Sequence, residues 1–473
     1  MSEKSDMPTQ QVPGVPLRAT LVGLGRINLG LMGPAFRAAG FEVSGVNFRY
    51  PEMVRALEDK KAYVILERLM NQTEQVRRQL LVNLSHAYLY RVDDPNSDGN
   101  QQAVVTAAKS HVIVSGVGPE AAAQEKIASF LLQVLQERVQ NDGDMHGPLD
   151  ICGCENPTGL SFSTAILRNR LLGKVVDIGD ERRRVRILQH MRHHVRFPLL
   201  LVDRVCSQRY IDPESGFVTV VAEPYASIRC SDNAQNLKYL AQGNSAATFT
   251  LASDMESYRL LKLNLLNCAH ALAAYCGHFH GCKTIDEAVA KPEVRHLIER
   301  ALDQVANSLK LRGGLPEHEI DGFRAGILIR LENVLDDAVP RVARDPLRKL
   351  KRDDRLLGSA LLVLYNSFQV SEELAQGIAA GFVYALEYPE DDSMQIEQGE
   401  PDADALSLKA RLLSRGSGAE QVVTAMEEVL CHDCGLKTEP DTSTGGAASL
   451  ERLLLERITF HFTRFISHRR GTS

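Results

Sequence analysis

An α/β unit followed by an all-helical unit is the fold class that this chain of 473 residues predicts. Three observations predict it. A short apolar strand runs straight into a glycine-rich turn near the N-terminus, and apolar runs of strand length recur until about Cys230. From about Asp254 the apolar residues recur at helical spacing instead. The length agrees, because a single hydrophobic core usually stops growing near about 250–300 residues.

Taken in order, residues 1–16 read as a flexible polar tail, and Ala19 to Gly23 as the first strand, ending in Gly23-Leu24-Gly25. Ile27 to Ala39 suits a helix stopped by Gly40, and Glu42 to Val46 gives a second strand. That β-α-β opening is Rossmann-like. Later strands are expected at His111–Ser115, Leu149–Cys154, Leu199–Asp203 and Phe217–Ala222. Helices are expected at Asp254–Cys276, Ile285–Arg312, His318–Val334, Leu356–Leu364, Glu372–Leu386, Ala419–Leu430 and Leu450–Ile466. The acidic stretch Glu387–Asp404 and the Gly/Thr/Ser stretch Lys437–Ala448 read as exposed loops. Residues 17–235 then form the Rossmann domain and 236–473 the helical domain.

Composition narrows the function. Hydrophobic residues at 44% and charged residues at 24% are the balance of an ordinary globular chain. A net charge of -6 gives no overall attraction to nucleic acid or to an anionic membrane, so neither is expected as a partner and a small molecule is. No apolar run has the length of a membrane span, and Met1–Val15 is polar, which points to the cytoplasm. Nine scattered cysteines make no disulfide framework and are expected reduced. A monomer is the favoured state.

Gly23, Gly25, Asn28 and Gly30 follow a strand and open a helix, where glycines let backbone amides approach a pyrophosphate. An ordinary strand-to-helix turn is the alternative. Ser115-Gly116-Val117-Gly118-Pro119 follows a later strand and offers a second loop on the cofactor side. At the end of the second strand the usual ribose-binding acid is missing. Asn47 with Arg49 suits the 2′-phosphate of NADP, although Arg49 reads equally well as a surface residue. Either NAD or NADP is expected as cofactor.

Lys262, Asn267 and His270 lie in one predicted helix, within about 140° of arc by the 3.6-residue repeat. Periodicity alone favours a polar stripe on a half-exposed helix over a shared cleft. The spacing Lys-x-x-x-x-Asn-x-x-His nevertheless resembles the signature of the long-chain mannitol dehydrogenase family. Further matches come in order: Val117-Gly118-Pro119, Cys154-Glu155-Asn156, Val202-Asp203-Arg204-Val205, Glu223-Pro224-Tyr225, and Arg341 through Leu350. The likeness spans about Leu17 to Leu436, and the last block looks most like the mannitol-1-phosphate branch.

The resemblance implies a dinucleotide-binding domain followed by a helical substrate domain. It implies that Lys262 is the general base, that Asn156 and Asn267 hold the reacting oxygen, and that His270 orients the substrate. The expected reaction is hydride transfer between NAD(P) and a hexitol phosphate, of the mannitol 1-phosphate to fructose 6-phosphate type. Arg344, Arg348 and Lys349 are the cations expected around the phosphate. An unphosphorylated polyol or hexonate, or a non-catalytic NAD(P)-binding regulator, are the competing readings. Three positions depart from the family pattern: Leu29 beside the turn, Asn47, and Ile228 after Glu-Pro-Tyr.

Two further clusters carry less. Cys276 to Cys282 and Cys431 to Cys434 hold zinc-capable side chains, but no second Cys-x-x-Cys pair completes a closed site, and no metal is expected. The basic run from Arg182 to Arg196 lacks the interleaved aromatics of a nucleic-acid surface and reads as a solvated helix face.

Overall fold

The computed structural model describes residues 16–70, 75–94, 97–117, 121–140, 147–154, 162–242, 246–334, 336–389, 402–438 and 447–471. Gly118, Pro119, Asn156, nearly all of the N-terminal tail and most of the two expected loops therefore lie outside the described residues. The strands are β1 Arg18–Val22, β2 Glu42–Asn47, β3 Ala62–Met70, β4 Gln75–Asn83, β5 His86–Leu89, β6 Val112–Ser115 and β7 Leu149–Gly153. They continue as β8 Val195–Arg196, β9 Leu200–Asp203, β10 Cys206–Ile211, β11 Val218–Ala222, β12 Ser227–Ser231 and β13 Thr248–Ala252.

Six of these strands make a parallel sheet in the order β5-β2-β1-β6-β7-β8. The order reverses at β1, which lies between β2 and β6. A crevice opens at such a switch point, outside the carboxyl ends of the strands, and the glycine turn leaves β1 there. Strands β1, β6 and β7 are nearly wholly buried because helices cover both faces, so they read as continuous apolar runs rather than alternating ones. A second sheet, β10-β11-β3-β4, and a third, β13-β12-β9, pack beside the first.

Several expectations change. The hairpin β3–β4 has no counterpart among the expected strands; its two strands pair with each other, and β3 pairs with β11. Strands do not end near Cys230, since β13 lies beyond residue 235, past the expected boundary, and runs parallel to β12. The helix expected at Ile285–Arg312 is two, Ile285–Ala290 and Pro292–Arg312. Pro292 holds Lys291 in extended backbone at φ -77°, ψ 123°, which breaks the first helix and starts the second.

The helical domain is built around Cys268–Phe279, in which every residue from Cys268 to Gly277 except His270 is buried. A helix apolar on all sides must sit in a core, and this one packs among Pro292–Arg312, Glu372–Glu387 and Val339–Ala343. The C-terminal helix Ala447–Gly471 closes over Glu372–Glu387, where Glu372 pairs with Arg457 at 3.1 Å and His461 at 3.0 Å.

Candidate active site

The cofactor turn is built from backbone first. Gly23 has φ +81°, and a Cβ there would come within 2.3 Å of Val117 Cγ2, so only glycine fits between β1 and the loop after β6. The Leu24 amide donates to Asn47 Oδ1 at 3.1 Å, and Asn47 Nδ2 donates to the Arg49 carbonyl at 2.6 Å. Arg209 reaches the Leu24 carbonyl at 2.7 Å. Gly25 starts the helical part of the turn by accepting from the Leu29 amide at 3.0 Å.

Of the residues expected at the cofactor, Asn28 and Asn47 hold the turn together and Gly30 packs against the second sheet. Asn28 is fully buried, and its Nδ2 donates to the carbonyls of Val22 at 3.0 Å and Gly23 at 2.8 Å. The carboxamide thus staples the strand to the turn, and its Oδ1 accepts from the Cys154 thiol at 3.4 Å. Gly30 faces the second sheet, where a Cβ would meet Cys206 Sγ at 2.6 Å, so its role is close packing. Asn47 spends both ends of its amide on backbone, while Arg49 is exposed at the end of β2. Of the departures from the family pattern, Leu29 and Ile228 are fully buried in the apolar core.

Lys262 to Asn267 is not α-helix but a π turn set between Met255–Leu261 and Cys268–Phe279. Hydrogen bonds in a π turn run from i to i+5, so residues five apart lie one above the other. Lys262 and Asn267 are therefore neighbours on one face, closer than the arc expected of an α-helix. Both are about nine-tenths buried, with 8% of each exposed. Lys262 Nζ donates to the Val202 carbonyl of β9 at 2.5 Å, which fixes the lysine against the Rossmann side of the molecule.

His270 follows Asn267 by one α-helical turn. Its Nε2 lies 2.9 Å from Asp337 Oδ2, and Asp337 also pairs with Arg341. Burial pushes the His270 ring below the usual 6.5, and the Asp337 carboxylate opposes that only in part. Burial likewise raises the Asp337 carboxyl, but Arg341 and His270 outweigh it and hold the group at about 2. A neutral ring that donates through Nε2 keeps Nδ1 as an acceptor.

One buried cation is not singled out by the sequence. Arg330, from the helix Glu317–Asn333, forks onto Asp203 at 2.8 and 2.9 Å and onto Glu223 at 2.7 and 3.0 Å, and stacks 4.2 Å over the Tyr225 ring. The blocks Val202–Val205 and Glu223–Tyr225 are thus a clamp between the two domains. Arg204 completes it by reaching Glu67 Oε1 at 2.7 Å, the Glu223 carbonyl at 2.8 Å and the Gly30 carbonyl at 2.5 Å. The available signal was a charged residue three on from Ile327, beside an apolar stripe.

The expected phosphate cluster does not form. Lys349 is buried and donates to the carbonyls of Val342 and Arg344, and burial with Arg355 and Arg348 nearby pushes its ammonium well down. Arg348 is held by Asp345 at 3.1 Å and Asp354 at 3.4 Å. Only Arg344 of the three keeps a half-exposed guanidinium, 3.7 Å from Asp345. Among the described residues no three His, Cys, Asp or Glu side chains gather as a metal site requires. Likewise no helix is long and apolar enough to cross a membrane.

A turn that fits a pyrophosphate at a sheet switch point, together with a buried lysine and asparagine on one helical face, defines a class. It is that of the nicotinamide-dependent dehydrogenases. The chain belongs to the mannitol dehydrogenase family, whose Rossmann domain matches residues 18–240 and whose C-terminal domain matches residues 254–454. Mannitol-1-phosphate 5-dehydrogenase of Geobacillus stearothermophilus is 29% identical over 373 residues, covering 78% of this chain and 88% of the relative. The enzyme of the same name from Bacillus velezensis is 30% identical over 402 residues, covering 84% and 91%. The fold matches Pseudomonas fluorescens mannitol 2-dehydrogenase, solved with NAD and D-mannitol, at a TM-score of 0.69 and 14% identity over 98% of this chain and 96% of that one. It also matches a D-sorbitol dehydrogenase at 0.64 and 15% over 96% of each.

Proposed function

We propose that the protein interconverts a hexitol phosphate and the corresponding ketose phosphate, mannitol 1-phosphate and fructose 6-phosphate being the type pair, with NAD or NADP. The observation that carries this reading is the π turn, which sets Lys262 and Asn267 side by side on a buried face against β9. In oxidation Lys262 takes the hydroxyl proton while Asn267, with Asn156, holds the oxygen as it becomes a carbonyl. His270 accepts a substrate hydroxyl through Nδ1 and so orients the chain of the polyol. A bound NAD(P) would accept the hydride, with its pyrophosphate at the turn Gly23–Gly25, and Gly118 and Pro119 are assigned to the same cofactor. In reduction Lys262 returns the proton.

Arg344 is the cation we assign to the substrate phosphate. One observation favours a second reading, an unphosphorylated polyol: Arg348 and Lys349 are committed to internal partners. Steady-state kinetics with mannitol and mannitol 1-phosphate separate the two. A kcat/KM higher for the phosphorylated substrate is expected, and an equal or lower one promotes the free polyol. We also infer a monomer at work in the cytoplasm, where nine free thiols stay reduced. Light scattering of the purified protein tests the monomer.

A further inference from the structure

We propose that Asn264 and Ser359 form a positioning lock that holds the π turn open and so keeps Lys262 and Asn267 in register. The inference rests on the roles proposed above for those two residues. In an α-helix residues five apart diverge by about 140°. The π register closes most of that divergence, but π turns are rare and need a cause. Lys262 to Asn267 contains no glycine or proline to impose one.

The side chains supply it. Asn264 Nδ2 donates to the Leu260 carbonyl at 2.9 Å, so a carboxamide competes for a carbonyl four residues back and disturbs the α ladder. The other end of the same amide is gripped from a different helix, Leu357–Ser367. Ser359 Oγ shares its proton between Asn264 Oδ1 at 3.0 Å and the Arg355 carbonyl at 2.6 Å. The same hydroxyl also lies 3.5 Å from the Asn264 carbonyl, so it meets both the side chain and the backbone of that residue. One fully buried hydroxyl therefore grips the turn in its middle. Without it the segment is free to relax toward the α register, which turns Asn267 away from Lys262.

The test uses the full chain with NADH and fructose 6-phosphate. Ser359→Ala and Asn264→Ala each lower kcat ten- to hundredfold, the order that a misplacement of about 1 Å costs, while NADH binding stays unchanged. The double variant is no slower than the poorer single one, because both act through one device. Ser359→Thr, which keeps the hydroxyl, retains turnover. Amide exchange in the segment around residues 260–268 speeds up in the alanine variants. Wild-type kcat and exchange in Ser359→Ala, or additive losses in the double variant, overturn the lock. If Lys262→Ala itself turns over normally, the base assignment fails instead, and the exchange pattern still decides whether Ser359 holds the turn.

Discussion

His270 Nε2 and Asp337 Oδ2 stand 2.9 Å apart, with Arg341 on the other side of the same carboxylate. Folding lowers both pKa values, so the folded state binds fewer protons than the unfolded chain over the range between them, and stability rises with pH there. The His270 share is present above about 6.5 and is lost as pH falls below it; the Asp337 share is lost between about 4 and 2. Activity follows the ring. In the reduction direction, where Lys262 works protonated, the acid limb of kcat/KM is expected below pH 6.5, and Asp337→Asn moves it lower still, because the carboxylate is what opposes the effect of burial. A pH–rate profile unchanged in Asp337→Asn contradicts this.

Lys262→Ala is expected to lower turnover at least about a hundredfold, the low end for a positioned acid–base group, with cofactor binding intact. The chain has no tryptophan, so fluorescence of reduced nicotinamide reports that binding cleanly. Asn267→Ala acts on kcat more than on KM, since its contact strengthens as the alkoxide forms. A Lys262→Ala enzyme with a tenth of normal turnover removes the lysine from the base role.

Arg330→Leu leaves Asp203 and Glu223 buried without their shared cation. Breaking a buried pair in this way costs about 3–5 kcal/mol, read as a lowered melting temperature. The deficit should shrink between pH 7 and pH 5, because carboxylates stripped of the guanidinium take up protons more readily. A deficit independent of pH means that lost packing on Tyr225, rather than lost charge, dominates.

Arg49 is exposed where the adenosine ribose is expected, and Asn47 stands in place of the usual acid at the end of β2. NADPH should bind at least as tightly as NADH, and Arg49→Ala should weaken NADPH selectively. Tighter NADH binding, unchanged by the substitution, makes the arginine a surface residue only.

At the other end of the substrate, Arg344→Ala is expected to raise KM for mannitol 1-phosphate with little effect on kcat. Arg348→Ala should act on the melting temperature instead, because its guanidinium ties Asp345 to the buried Asp354. A KM effect from Arg348 and none from Arg344 reverses the assignment.

Local information in the sequence determined a good deal. Strand β1 and its glycine turn, the helical second half, and the Lys262, Asn267 and His270 spacing are all carried by residues within one turn or one element of each other. Apolar periodicity and glycine conformation are properties of short segments, so they are legible without a fold. What only the tertiary structure decided is who partners whom. Asn28 and Asn47 look like ligand groups until β1, β2 and the turn meet and absorb their amides. Arg348 and Lys349 look like a phosphate site until Asp345, Asp354 and two carbonyls take them. Arg330 looks like any helix arginine until Asp203 and Glu223, more than a hundred residues earlier, close on it. The π turn is the same case, because the hydroxyl we assign to hold it, on Ser359, lies 95 residues beyond Asn264. Burial makes such polar contacts obligatory, yet the partner's identity depends on how distant segments pack, which no local pattern encodes.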